Sequence, residues 1–94
     1  MKIEYDSQKS EKNKAERGFL FDSVQDFDWD TALVWQDKRK DYGETRYASL
    51  GVIEGRVYAL CFKLLDKMDG IRVISLRKAN KREQKQYEEE RANY

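Results

Sequence analysis

Four strand-like segments follow one another in this chain on links too short to cross a sheet. Residues 29–36, 45–53, 56–64 and 71–76 are apolar runs or alternations of strand length, rich in Val, Ile, Leu and aromatic residues. Glu54-Gly55, between the second and third, is a two-residue hairpin signal with Gly where positive φ is needed. Asp66-Lys67-Met68-Asp69-Gly70 is a longer turn, and residues 37–43 form a charged loop. A parallel crossover takes about a dozen or more residues. Neighbours on links like these pair antiparallel.

The flanking segments read as follows. Lys2 to Tyr5 alternates and fits a short first strand. Residues 6–17 suit a polar surface helix, with Asp6 or Ser7 as N-cap and Gly18 as the stop. Phe19-Leu20-Phe21 enters a second short helix, where Phe21, Val24 and Phe27 stand three apart in one stripe facing a sheet. Residues 80–92 close the chain as a helix, with Asn80 as cap and Glu83 at N3 in a variant of the capping box. Glu88-Glu89-Glu90 sets acid against the dipole at its far end. There is no Pro, no repeat and no low-complexity linker. The predicted fold is α+β in one domain over residues 1–94. A single antiparallel β-sheet packs with two N-terminal helices and one C-terminal helix, the helices largely on one face.

Composition excludes several function classes. No apolar run approaches the ~20 residues of a membrane span, and the opening Met1-Lys2-Ile3-Glu4 is no hydrophobic signal region. The lone Cys61 cannot form an internal disulfide and reads as a small buried hydrophobe. The expected compartment is the cytosol. With no His in the chain, nucleophilic triads are ruled out. The alternating acids of Asp26-Phe27-Asp28-Trp29-Asp30 lack the Gly and later Glu of a calcium loop. The five Gly residues are scattered, so no phosphate-cradling loop exists. Neither a metal nor a cofactor is expected.

Charge is placed unevenly. The net charge is only +1, yet six cations and one acid lie between Arg72 and Lys85. Arg72-Val73-Ile74-Ser75-Leu76-Arg77-Lys78-Ala79-Asn80 runs an apolar strand into a cationic cluster at a helix entrance. Helix N-termini and guanidinium forks are what proteins present to phosphate, so nucleic acid is the first partner to test. An ordinary solvated charged face fits the same residues equally well.

Cleaving RNA needs a base for the 2′-hydroxyl proton, a cation for the crowded phosphorane and an acid for the leaving oxygen. Glu, Arg, Lys and Tyr can fill those roles. Glu44 and Arg46 are i and i+2, so strand geometry puts them on one face about 6.5 Å apart. A plain surface ion pair worth ~0–1 kcal/mol is the other reading. Strict alternation sends Arg72 and Arg77 to opposite faces, so acting together requires a strand end or a bend between them. Glu83 and Tyr87 share a helical face, where Tyr87 either assists or packs the helix on the sheet.

Asp6, Lys9, Asn13 and Arg17-Gly18, then Gly43-Glu44-Thr45-Arg46, Gly51, the block from Arg72 to Ala79, and finally Glu83 and Tyr87 together resemble the BrnT family of bacterial toxins. The resemblance runs in order over nearly the whole chain, and the block from Arg72 is its most specific part. It implies a RelE-like fold and a ribonuclease toxin of a type II toxin–antitoxin system. It further implies metal-independent RNA cleavage that arrests translation, and neutralisation by a BrnA-like, DNA-binding antitoxin. The family's polar positions fall on Glu44, Arg46, Arg72, Arg77 and Lys78; in the leading reading the Arg residues hold the phosphate, Glu44 or Lys78 transfers protons and Tyr87 is a further catalytic candidate. Arg17, Lys81 and Arg82 are the further RNA-binding candidates. The family usually has Lys-His-Gly where Glu16-Arg17-Gly18 stands, and Arg17 cannot shuttle protons near neutral pH. Either that His is not the essential base or this member is attenuated; the first option rests proton transfer on Glu44 or Lys78.

The alternative is a non-catalytic module of the same fold that binds RNA or the antitoxin, and a third reading is a plain α+β structural partner with no nucleic-acid role. Trp29 and Trp35 are candidates for a partner surface, since Trp is enriched at hot spots, although core packing is its commoner role. A homodimer, and a toxin–antitoxin heterotetramer built on it, complete the expected partners.

Overall fold

The computed structural model describes residues 1–92 and contains one five-stranded sheet. Its elements are strand β1 (Lys2–Glu4), helix α1 (Ser7–Arg17), a 3₁₀ helix (Phe21–Asp26), strands β2 (Leu33–Gln36), β3 (Tyr47–Ile53), β4 (Arg56–Leu64) and β5 (Gly70–Lys78), and helix α2 (Lys81–Ala92). The sheet order is β1-β5-β4-β3-β2. The chain is α+β as expected, and β2 to β5 form the antiparallel meander that the short links require. Glu54 and Gly55, both at positive φ, close the β3–β4 hairpin between the paired Ile53 and Arg56.

Four expectations are corrected. The sheet is mixed rather than purely antiparallel, because β1 lies parallel to β5 with Ile3 opposite Ile71. Short links constrain only successive strands, whereas β1 reaches β5 across most of the chain. Close approach there needs Gly70, since a Cβ on it would collide with the Lys2 backbone. The second helix is a 3₁₀ helix. Its three residues per turn stack i and i+3 directly, which suits a stripe spaced by threes better than an α-helix does. Phe21 and Val24 from it and Phe27 just beyond are all buried. Third, the helices do not share one face.

Alternation along β4 shows this. Tyr58, Leu60 and Phe62 face the 3₁₀ helix with Val73, Leu76 and Ile53 in the main core. Ala59 faces the other way, in a small cluster with Leu50, Ala79, Val57 and Tyr87. So α1 and the 3₁₀ helix cover one side, here the α1 face, and α2 lies on the other, the α2 face. Helix α1 has almost no apolar residues, and polar side chains dock it. Asn13 Nδ2 donates to the carbonyls of Phe19 (2.8 Å) and Leu76 (2.9 Å). Ser10 Oγ accepts from Phe21 N. Asp6 caps its start, and Gly18 ends it at φ 90°.

Strand β2 is half the expected length. Asp28 takes hydrogen bonds from Asp30 N and Thr31 Oγ1, so a side-chain turn occupies the residues that were read as strand. Trp29 consequently leaves the sheet and packs edge-on against Phe27 and Phe62.

Candidate nucleic-acid interface

A β-bulge decides which residues can work together. Leu60 pairs with Leu76 and Cys61 with Ser75, but Phe62 pairs with Val73, leaving Ile74 as an extra residue in β5. The slip reverses alternation within the strand. Val73 and Leu76 therefore both enter the core, and Arg72 and Arg77 both stand on the α2 face. The strand neither ends nor breaks before Arg77. Partners Lys63 and Ala59 are four β4 residues apart, which separates the two Arg backbones by about 13 Å. They suit successive points along a strand rather than a single phosphate.

Beside Arg72 lies Lys63, its cross-strand partner. Lys63 Nζ reaches Glu44 Oε1 at 3.3 Å, and Arg46 Nε donates to Glu44 Oε2 at 2.9 Å. Arg46, just before β3, with Lys63 of β4 and Arg72 of β5 thus form a cationic row, with one carboxylate bridging two of its members. The Arg46 hydrogen bond, then that of Lys63, holds the Glu44 carboxyl below its ordinary range. Arg46 also lies over the Tyr42 ring, 4.2 Å from its centroid.

Tyr42 belongs to a loop organised by Asp37. That carboxylate accepts from Arg39 N, Arg39 Nε (2.9 Å), Arg39 Nη2 (2.7 Å) and Tyr42 Oη (3.1 Å). Its side chain is 3% exposed although its Arg39 partner is 73% exposed. The Arg39 side-chain hydrogen bonds push its carboxyl far below the usual range, against the opposing effect of burial.

At the other end, Arg77 is gripped by Glu83 through two bonds, Nη1 to Oε1 at 2.7 Å and Nη2 to Oε2 at 2.9 Å. Glu83 Oε1 also accepts from Asn80 N, while Asn80 Oδ1 accepts from Glu83 N. The expected capping box is thus formed, and its acid doubles as the partner of a strand Arg. Between Arg77 and the Asp37–Arg39 turn opens a groove of about 410 Å³. Its floor includes Ala48, Leu50, Ala59 and Cys61, and Trp35 stands on its rim.

A sequence profile of one protein family matches residues 5–83, and that family is described as "Ribonuclease toxin, BrnT, of type II toxin-antitoxin system". The chain belongs to the BrnT family. No curated protein matches its sequence. Membership makes RNA the target class and an antitoxin protein the partner class. The BrnT match takes in the cationic row and reaches the Arg77–Glu83 pair, ending before Tyr87.

Of the residues singled out from the sequence, Glu44, Arg46, Arg72 and Arg77 share the α2 face. Lys78 pairs with Tyr58 on the α1 face and sits over the Phe19 ring, 5.5 Å from its centroid. Arg17 ends α1 on that same side. Lys81 and Arg82 are exposed in the first turn of α2. Tyr87 packs α2 onto the sheet and donates through its hydroxyl to Thr31 Oγ1 at 3.1 Å. Sequence reasoning missed Lys63, Asp37 and Arg39. Lys63 was legible in principle, since alternation along residues 56–64 puts it on the same face as Ala59 and Cys61; the Asp37 turn carries no signal beyond a charged loop. Cys61, read as buried, is half-covered and faces the groove. Among the described residues no three His, Cys, Asp or Glu side chains gather as metal ligands would, and no helix is long and apolar enough to cross a membrane.

Proposed function

We propose that the α2 face is the RNA-cleaving surface of a metal-independent endoribonuclease. The observation that carries this reading is the row Arg46–Lys63–Arg72 with Glu44 between two of its cations. In the reaction, the 2′-oxygen attacks the neighbouring phosphorus and the 5′-oxygen leaves, giving a cyclic phosphate. Arg46 and Arg72 stabilise the charge that builds on the phosphorane oxygens. Glu44 takes the 2′ proton, and Lys63 returns one to the leaving oxygen. A carboxyl held low is always ionised at neutral pH but is a weak base, so electrostatic stabilisation supplies more of the rate than proton transfer. Arg77, oriented by Glu83, holds a phosphate further along the strand, with Lys81 and Arg82 beyond it. Lys78, Tyr87 and Arg17 lie outside this set, the first and last on the opposite face and Tyr87 engaged in packing.

On this reading the cleavage arrests translation in the cytoplasm. A BrnA-like antitoxin neutralises the toxin by covering the α2 face, in a heterotetramer built on a toxin homodimer. The test is cleavage of single-stranded RNA by the purified protein in excess chelator. Products ending in a cyclic phosphate support the reading. Salt-dependent RNA binding with no cleavage at high protein concentration would replace it with a non-catalytic binding module.

A further inference from the structure

We infer that the groove on the α2 face is a nucleobase subsite, with Trp35 as the stacking platform for an unpaired base of the RNA. This rests on the ribonuclease reading above and adds to it where the substrate's base goes. Trp35 is 41% exposed, unlike Trp29, which is partly buried against the core. Its strand position places it directly across from Ala48, and both residues line the groove. The volume, about 410 Å³, falls within the roughly 300–1,000 Å³ of small-ligand sites.

Charge selects the occupant. The groove is lined by Lys38 and by Arg39 and Arg77 with their paired acids Asp37 and Glu83, and the cationic row lies beside it. An apolar floor bordered by an exposed indole, two ion-paired guanidinium groups and Lys38, with the cationic row alongside, matches a ring on an anionic backbone. Base–aromatic stacking with a basic track beside it is how proteins hold single-stranded nucleic acid. The Arg39 and Arg77 forks are already fixed by Asp37 and Glu83, so both stand in place before the strand arrives. An unpaired base, rather than a duplex, fits a site on a sheet face beneath a helix edge.

Cys61 in the groove floor reports occupancy in the unmodified protein, because it is the only cysteine. The probe is a short 2′-O-methyl RNA, which binds but lacks the attacking hydroxyl, compared with the same backbone carrying abasic positions. The base-bearing strand should slow thiol labelling of Cys61 several-fold, and the abasic strand should leave it nearly unchanged. Trp35→Ala should weaken binding of the base-bearing strand about 10-fold while Trp35→Phe retains most of it. Equal protection by both strands, or unchanged affinity in Trp35→Ala, overturns the base site. Labelling that slows with protein concentration and not with oligonucleotide also overturns it, in favour of a second copy of this chain in the groove. Failures of the two readings are separable. Cleavage lost in Arg72→Ala with Cys61 freely labelled removes the base site alone; base-specific protection without cleavage removes the ribonuclease alone.

Discussion

The Asp37 carboxylate takes four hydrogen bonds and so fixes both Arg39 and the Tyr42 ring beneath Arg46. A carboxyl whose folded pKa is depressed contributes stability that is fully present above its unfolded value, about 3.9, and lost as pH falls toward the folded value. Because Arg39 is largely exposed, solvent screens the pair, and about 1–2 kcal/mol is the expected contribution. Asp37→Asn should therefore be less stable than the parent by that amount in urea melts at pH 7, with the gap narrower at pH 3. A gap that widens in acid would contradict the assignment. Gly51 has a simpler reason for its place. A Cβ there would penetrate the Phe27 ring that closes the core over β3. Gly51→Ala should cost about 1–3 kcal/mol, measured by denaturant unfolding, with the loss reduced when Phe27→Leu is added.

Among the elements, β5 governs the geometry of the face. Its bulge carries Ile74 as a surplus residue, so the register on both sides is correct without it. Deleting Ile74 should leave Val73 and Leu76 in the core and both Arg residues on the α2 face. Its stability cost should be smaller than that of Leu76→Ala, where a fully buried side chain is lost at about 2–5 kcal/mol. Circular dichroism with urea melts reads both, and a deletion that costs more than Leu76→Ala would contradict the register. The same bulge marks the limit of sequence reading. Residues 56–64, the Glu54-Gly55 hairpin, the Asn80 cap and the stop at Gly18 were legible because each follows from local chemistry, and the first cap was narrowed to Asp6 or Ser7, of which Asp6 serves. In residues 71–76 the apolar alternation changes phase at Val73-Ile74, where the bulge lies, and a strict period-two reading passed over that step and sent Arg72 and Arg77 to opposite faces. The parallel β1 was hidden for a different reason: its partner is decided by packing across the whole chain. The Glu44–Arg46 pair was read from spacing, but its third member, Lys63, arrives from β4, and only cross-strand register brings it there.

At the scale of the molecule, the sheet divides labour between its faces. The α1 face holds the main core, with polar anchors Ser10 and Asn13 docking a helix that has little apolar surface of its own. The α2 face is covered only near Leu50 and Ala59, leaving a cationic row and an open groove. Near-zero net charge hides this arrangement, since the cations are gathered by fold rather than by composition. On the proposed reading RNA cleavage belongs to the α2 face. Its most direct test is kcat/KM for a single-stranded RNA in excess chelator, for the parent, for Arg46→Ala and Arg72→Ala on that face, and for Arg17→Ala and Lys78→Ala on the other. Loss of at least about 100-fold is expected for the first two, the scale of a removed oxyanion or phosphate donor, and less than about 3-fold for the second two. Equal losses on both faces, or a parent that cleaves nothing under these conditions, would contradict it.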